Sequence, residues 1–219
     1  MKSLEEERPP REAFTAEEWA IVSAHRTPER VQRWLTRLPY NWLKDGITQR
    51  SFREVVRRRE AHCMEAALAA AVILEQHGYP PLVLSLASQD KLDHVVFLFQ
   101  RDGRWGAIGR SRDTGLHGRR PVFRNPRQLA WSYHDPYVDN TGRITGYAVA
   151  DLRQLGSYDW RFSTKNIWRA ERLLQEIPHR PLVCSERRYR MLLARYKEFA
   201  RTHPGESPTY FDDRATWLL

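Results

Sequence analysis

The chain has 219 residues, 41% of them hydrophobic and 11% aromatic with 8 Trp, which excludes wholesale disorder and allows one sizeable core. The longest apolar run, 66–74, is far short of the ~20 residues of a membrane span, and the N-terminal MKSLEEERPP has no apolar stretch to act as a secretory signal. A cytoplasmic chain with no membrane association is therefore expected. The net charge of +9 comes from 36 Lys+Arg against 27 Asp+Glu, and with only two cysteines a disulfide framework is excluded.

The basic excess is almost all arginine. Its clusters are short (Arg57-Arg58-Arg59, Arg119-Arg120, Arg187-Arg188 with Arg190), and carboxylates flank the first and last of them. No zinc-finger spacing, RNA-binding aromatic signature or helix-turn-helix pattern accompanies them, so solvated helix faces are expected and nucleic acid is not the favoured partner.

Residues 1–14 read as a flexible tail and 15–219 as a single domain. Thr15 with Glu18 forms a capping box before a short helix carrying Trp19, Ile21 and Val22. Thr27 followed by Pro28 opens a second helix, with Val31, Trp34, Leu35 and Leu38 on one face. Ser51 with Glu54 is another capping box, leading Phe52, Val55 and Val56 inward. From about Ala61 to His77 the chain is Ala-rich and apolar nearly all round, and Gly78 and Pro80-Pro81 stop it; such a helix belongs at the centre of a domain. Three strand-like runs follow, at 81–87, 94–100 and 105–109. Segment 143–152 has strand character, and 165–177 and 186–202 look helical, forming a C-terminal extension. The order of elements predicts an α+β fold, with N-terminal helices and a central buried Cys-bearing helix packed on an antiparallel sheet.

Cys63 stands at or near the start of the central helix, where the helix dipole favours a thiolate. No Gly, Pro or Asn separates it from the preceding short helix, so whether a break precedes it is left open. His94 begins the second strand, and cysteine catalysis needs such an imidazole as base and then acid. Asp102-Gly103 is a two-residue turn signal, so Arg101 pairs with Arg104, and that register carried outward sets His94 opposite Ser111. Directly opposed side chains share a face about 5 Å apart at Cβ, and Asp113 lies two residues on, on the same face. Either Ser111 or Asp113 is thus a candidate to orient the imidazole.

The segments AHCMEAALAAAVILEQHGYPP, LDHVVFLF and RWGAIGRSRD resemble the core of the transglutaminase-like cysteine-enzyme superfamily, relatives of papain in fold. The resemblance covers about fifty residues, His62 to Ser111, with order and spacing agreeing. It implies a nucleophile at Cys63, a base at His94, and acyl transfer through a thioester on a peptide, protein or small amide substrate, without cofactor or metal. The family's third-strand Asp falls near Gly109, where this chain has no carboxylate, so Ser111 or Asp113 must stand in. The other reading is a catalytically degenerate module of this fold, binding a protein or anionic partner through its arginine surface.

Neighbouring residues receive plainer readings. His62 is expected at the surface or behind the site, and Glu65 facing away in a salt bridge to an arginine. Gln49 lies where papain-like enzymes place an oxyanion-hole side chain. Trp105 reads as core or pocket wall, and Cys184 as packing.

Overall fold

The computed structural model describes residues 8–44 and 46–219. Among them, eight α-helices surround a six-stranded antiparallel sheet, an α+β architecture. Helices α1 (Ala16–Ala24) and α2 (Pro28–Arg37) begin where their caps predict. Thr15 and Glu18 exchange hydrogen bonds of 2.8 and 3.2 Å, and Thr27 caps the helix that Pro28 opens. Ser51 caps α3 (Phe52–Arg58), accepting from Glu54 N at 3.3 Å, but Glu54 turns its carboxylate to Arg57 and Arg58 rather than closing a box.

The break before the central helix α4 (Cys63–Glu75) comes from Arg59, which takes left-handed backbone angles (φ 57°) normally given to glycine. Ala61 then pairs with Tyr40 in an isolated parallel bridge, and the chain re-enters helix at Cys63. Every residue of α4 but Cys63 is buried.

The strands run in the order β4-β3-β2-β1-β5-β6, with β1 at Leu82–Ser88, β2 at His94–Arg101, β3 at Arg104–Ile108, β4 at Arg119–Phe123, β5 at Ile144–Asp151 and β6 at Arg180–Pro181. The β2–β3 register is the expected one, Arg101↔Arg104 through Phe97↔Ile108, and Asp102 and Gly103 both have the positive φ of a type I′ turn. The weakly patterned 143–152 segment becomes β5, an interior strand paired along the whole of β1.

Two apolar layers sandwich the sheet. Val95, Phe97 and Phe99 of β2 join α4 and the N-terminal helices on one side. Val96 and Leu98 join Leu129, Ala130, Tyr133 and Tyr137 of α5 (Pro126–Tyr137) on the other. Helices α6 (Trp168–Glu176), α7 (Glu186–Thr202) and α8 (Arg214–Trp217) complete the chain. Helix α5 and strand β4 were not read from the sequence, although Asn125-Pro126 repeats the cap-plus-proline pattern of Thr27-Pro28.

Residues 1–7 of the expected tail lie outside the described residues. The rest of that segment is docked: Gln76 Nε2 donates to Pro9 O at 3.0 Å, and Phe14 is buried edge-on against Trp19, Phe52 and Phe162. An aromatic in that company removes more apolar surface from water than a free tail permits.

Candidate active site

Cys63 is the first residue of α4, half-buried, with its sulfur 3.9 Å from the carbonyl oxygen of Asp93. Amides of a helix's first turn have no acceptor within the helix, so those of Cys63 and Met64 are free donors beside the sulfur. Burial pushes the thiol up, but hydrogen bonding from His62 and His94 and the charge on both imidazoles outweigh it and bring the thiol down to about 5.

His62 is therefore no surface residue. It is buried at the N-cap, its Nε2 donates to Thr48 O at 2.9 Å, and it stands against the thiol. Burial lowers its basicity, but the hydrogen bond and charge of Cys63 and the charge of Glu65 raise it to about 9. Glu65 is the hub beneath it. Fully buried, it accepts from His62 N at 3.1 Å, Thr48 Oγ1 at 2.8 Å, Arg50 N at 3.1 Å and Asn41 Nδ2 at 3.1 Å, and lies 3.4 Å from His62 Nε2. The expected arginine contact exists, with Arg50 Nε at 3.8 Å, but it is the longest of the set. Glu65 does not face away from the site, because a carboxylate three residues into a helix reaches back to the N-cap.

His94 packs against the Tyr133 ring on the α5 side of the sheet, with centroids 5.7 Å apart. Its Nε2 lies 2.9 Å from Leu116 O. A carbonyl only accepts, so Nε2 carries the proton and the Nδ1 lone pair is the basic position. Neither Ser111 nor Asp113 takes this role. The β2–β3 ladder ends at Ile108, and Gln32 of α2 then clamps Gly109, accepting from its N at 3.0 Å and donating to its O at 2.9 Å. Past that clamp the pairing does not continue. Ser111 lines the cleft, but its carbonyl accepts from His117 Nε2 at 3.0 Å and its hydroxyl from Asp113 N at 3.4 Å. Asp113 meets Ser207 Oγ at 3.3 Å and Arg112 Nε at 3.6 Å.

The Leu116 carbonyl is held by the next surprise of the sequence. Arg119, expected in a solvated cluster, is fully buried and has no carboxylate partner among the described residues. Its guanidinium lies between the rings of Tyr133 (3.8 Å) and Trp217 (4.4 Å) and donates to Gly115 O at 2.8 Å, His117 O at 2.9 Å, Gly118 O, and both oxygens of Ser132. Burial without a carboxylate lowers it to about 10, still charged at neutral pH. Tyr133 OH also donates to His117 O at 3.0 Å, so the carbonyls of the residues on either side of Leu116 are pinned. His117 is driven down to about 4 by burial and by the charges of Arg110, His94 and Arg119, despite its bond to Ser111 O, and so is neutral.

The thiol and both imidazoles open on a cleft of about 480 Å³. Gln49 lines it, but its Nε2 donates to Glu171 Oε1 at 3.0 Å and its Oε1 is buried without a partner. Tyr40, not singled out in the sequence, also lines the cleft; burial and the nearby thiolate push its phenol upward, so it keeps its proton. Trp105 lies half-buried on β3, outside the cleft and packed on the α5-side layer, and Cys184 has its sulfur 3.6 Å from Ser185 O.

No family model matches this chain, and no curated protein matches it. Among the described residues no group of three His, Cys, Asp or Glu is arranged to hold a metal ion, and no helix is long and apolar enough to cross a membrane.

Proposed function

We propose that this chain is a transglutaminase-like cysteine enzyme that transfers an acyl group through a thioester on Cys63. The observation that carries the reading is a helix-N-terminal thiol brought down to about 5 by two imidazoles at an open cleft. A thiol at a helix N-terminus, beside two imidazoles and open to a cleft, has the setting a nucleophile needs. In the reaction, the Cys63 thiolate attacks an amide or ester carbonyl. The free amides at the start of α4 receive the developing oxyanion, and His94 returns a proton to the leaving group. His62, raised to about 9, is the fixed positive charge that keeps the sulfur ionised between turnovers. Water or an amine then releases the acyl group. Alkylation of Cys63 by iodoacetamide across pH tests the reading: the rate is expected to rise with a midpoint near 5. A midpoint at the ~8.5 of an ordinary thiol overturns it.

One observation favours the binding-module alternative. A groove of about 780 Å³ between α2 and β4 is lined by Arg33, Arg37, Arg101 and Arg120, together with Glu29, bound to Arg101 at 2.7 Å, and Leu219. Retention on immobilised duplex DNA at stepped salt separates the two readings, because phosphate contacts weaken steeply with salt. An inert thiol together with salt-sensitive retention favours the module.

A further inference from the structure

Eight large apolar side chains are exposed among the described residues. Scattered singly they need no explanation, but a cluster around one concavity marks a binding surface. Four of the eight line the Cys63 cleft: Trp42 (59% exposed), Leu43 (37%), Ile47 (72%) and Leu92 (60%). They come from two separate stretches, residues 41–44 with 46–48 before α3, and the 89–93 connection between β1 and β2.

Both walls are preformed. Leu43 N donates to Asn41 Oδ1 at 3.1 Å, and the Asn41 amide is anchored on Thr48 and Glu65. Opposite, Asp90 Oδ1 accepts from Leu92 N at 3.2 Å and Tyr137 OH at 3.1 Å, while Asp93 accepts from Ser88 N at 2.9 Å. Each wall also holds one non-glycine residue in the left-handed region, Leu43 (φ 55°) and Lys91 (φ 61°). Such backbone is costly and collects where the surrounding structure positions a surface for use. The floor between the walls is polar, with Cys63, His62 and His94, so the apolar surface lies beside the reacting carbonyl's place rather than on it.

We infer that the cleft selects acyl donors whose carbonyl carries a bulky apolar group, a class of substrate that rests on the reading of Cys63 as the acylated nucleophile. The volume of about 480 Å³ suits a group of that size. In the step, the Sγ–C bond forms as the donor's C–O or C–N bond breaks. The leaving oxygen or nitrogen departs with a proton from His94 when it needs one. Water then cleaves the thioester to a carboxylic acid and restores the thiol.

The test compares acylation of Cys63 by p-nitrophenyl acetate and p-nitrophenyl hexanoate, followed by nitrophenolate release and intact mass, each rate divided by that for free cysteine. Four further methylenes, partly removed from water, are expected to favour hexanoate on the order of tenfold. The Ile47→Ser and Leu92→Ser variants are each expected to cut that preference about threefold, the loss of one wall's apolar contact. Met191→Ser, an exposed apolar position on α7 outside the cleft, is expected to keep it. The ester of N-acetyl-leucine, run alongside, distinguishes a peptide source of the apolar group from a fatty-acyl one, and preference for either over acetate upholds the inference. Equal acylation by all three esters overturns the apolar selection while leaving Cys63 a nucleophile. No acylation by any of them, with an ordinary thiol midpoint, overturns both.

Discussion

The two imidazoles beside Cys63 each give Nε2 to a peptide carbonyl, and they differ in that His62 also has a buried carboxylate beside it. His62 donates its Nε2 to Thr48 O at 2.9 Å and has the buried Glu65 carboxylate 3.4 Å from that nitrogen, a charge that helps raise it to about 9. His94 is fixed by a peptide carbonyl 22 residues away, on a loop held by a buried arginine. The carbonyl orients each ring and sets its tautomer, and the carboxylate beside His62 adds a negative charge that favours the imidazolium there. The Glu65 charge is thus the electrostatic difference between the two rings at the thiol, and it suits His62 to stay charged.

Removing Glu65 should break this arrangement most severely. Glu65→Ala leaves Thr48 Oγ1, Arg50 N and His62 N without their acceptor in a dry site, and a loss of about 3–5 kcal/mol in urea unfolding is expected. Arg119→Met strikes the other imidazole. The carbonyl of Gly115 loses its donor and those of His117 and Gly118 each lose one of two, stability falls by about 2–3 kcal/mol, and ester turnover drops about 10- to 100-fold as Leu116 O drifts. The iodoacetamide midpoint should move less in this variant than in a His62 variant, which is the measurement that tells positioning from general damage.

His62→Gln sharpens the electrostatic half of the comparison. The thiol midpoint should rise from about 5 towards ~8.5, read by alkylation rate against pH. In the wild-type protein the depressed thiol contributes stability that is full above the unfolded thiol value and lost as pH falls through about 5. The raised His62 contributes stability that is full below ~6.5 and lost as pH rises through about 9. Both groups are charged between those limits, so the alkylation rate and thermal stability of His62→Gln should diverge from wild type most within that window.

The smallest effect is expected at the two residues that the strand register put forward. Ser111→Ala and Asp113→Asn should each change turnover less than about threefold, because neither side chain meets His94. A large loss in either would mean that the loop carries the imidazole through Ser111 after all.

The local part of this site was legible residue by residue. Thr15 with Glu18, Thr27 with Pro28, and Asp102 with Gly103 produce the caps and the turn they encode, because each is a hydrogen bond or a backbone angle settled within four residues. The central burial of the helix after Cys63 followed in the same way from its being apolar nearly all round. His62 was misread for a local reason. Adjacent helical residues diverge, but His62 is the N-cap, outside the helix, and its extended backbone returns the ring to the sulfur's side.

What remained hidden depends on contacts distant in sequence. The register was correct as far as Ile108, and it stops short of Ser111 where Gln32 of α2 takes both backbone groups of Gly109. Gly118 lets that side chain in, since a Cβ there would lie 2.3 Å from Gln32 Oε1. Arg119 reads as surface charge until Tyr133 and Trp217 enclose it and four residues' oxygens satisfy its donors. By itself, then, the sequence determined the capped helix starts after Thr15, Thr27 and Ser51 and the place of the hairpin turn, since short-range sterics and capping decide those. The tertiary structure alone decided which groups face the thiol, because a buried polar atom takes whichever partner packing brings within about 3 Å, and no spacing in the chain encodes that choice.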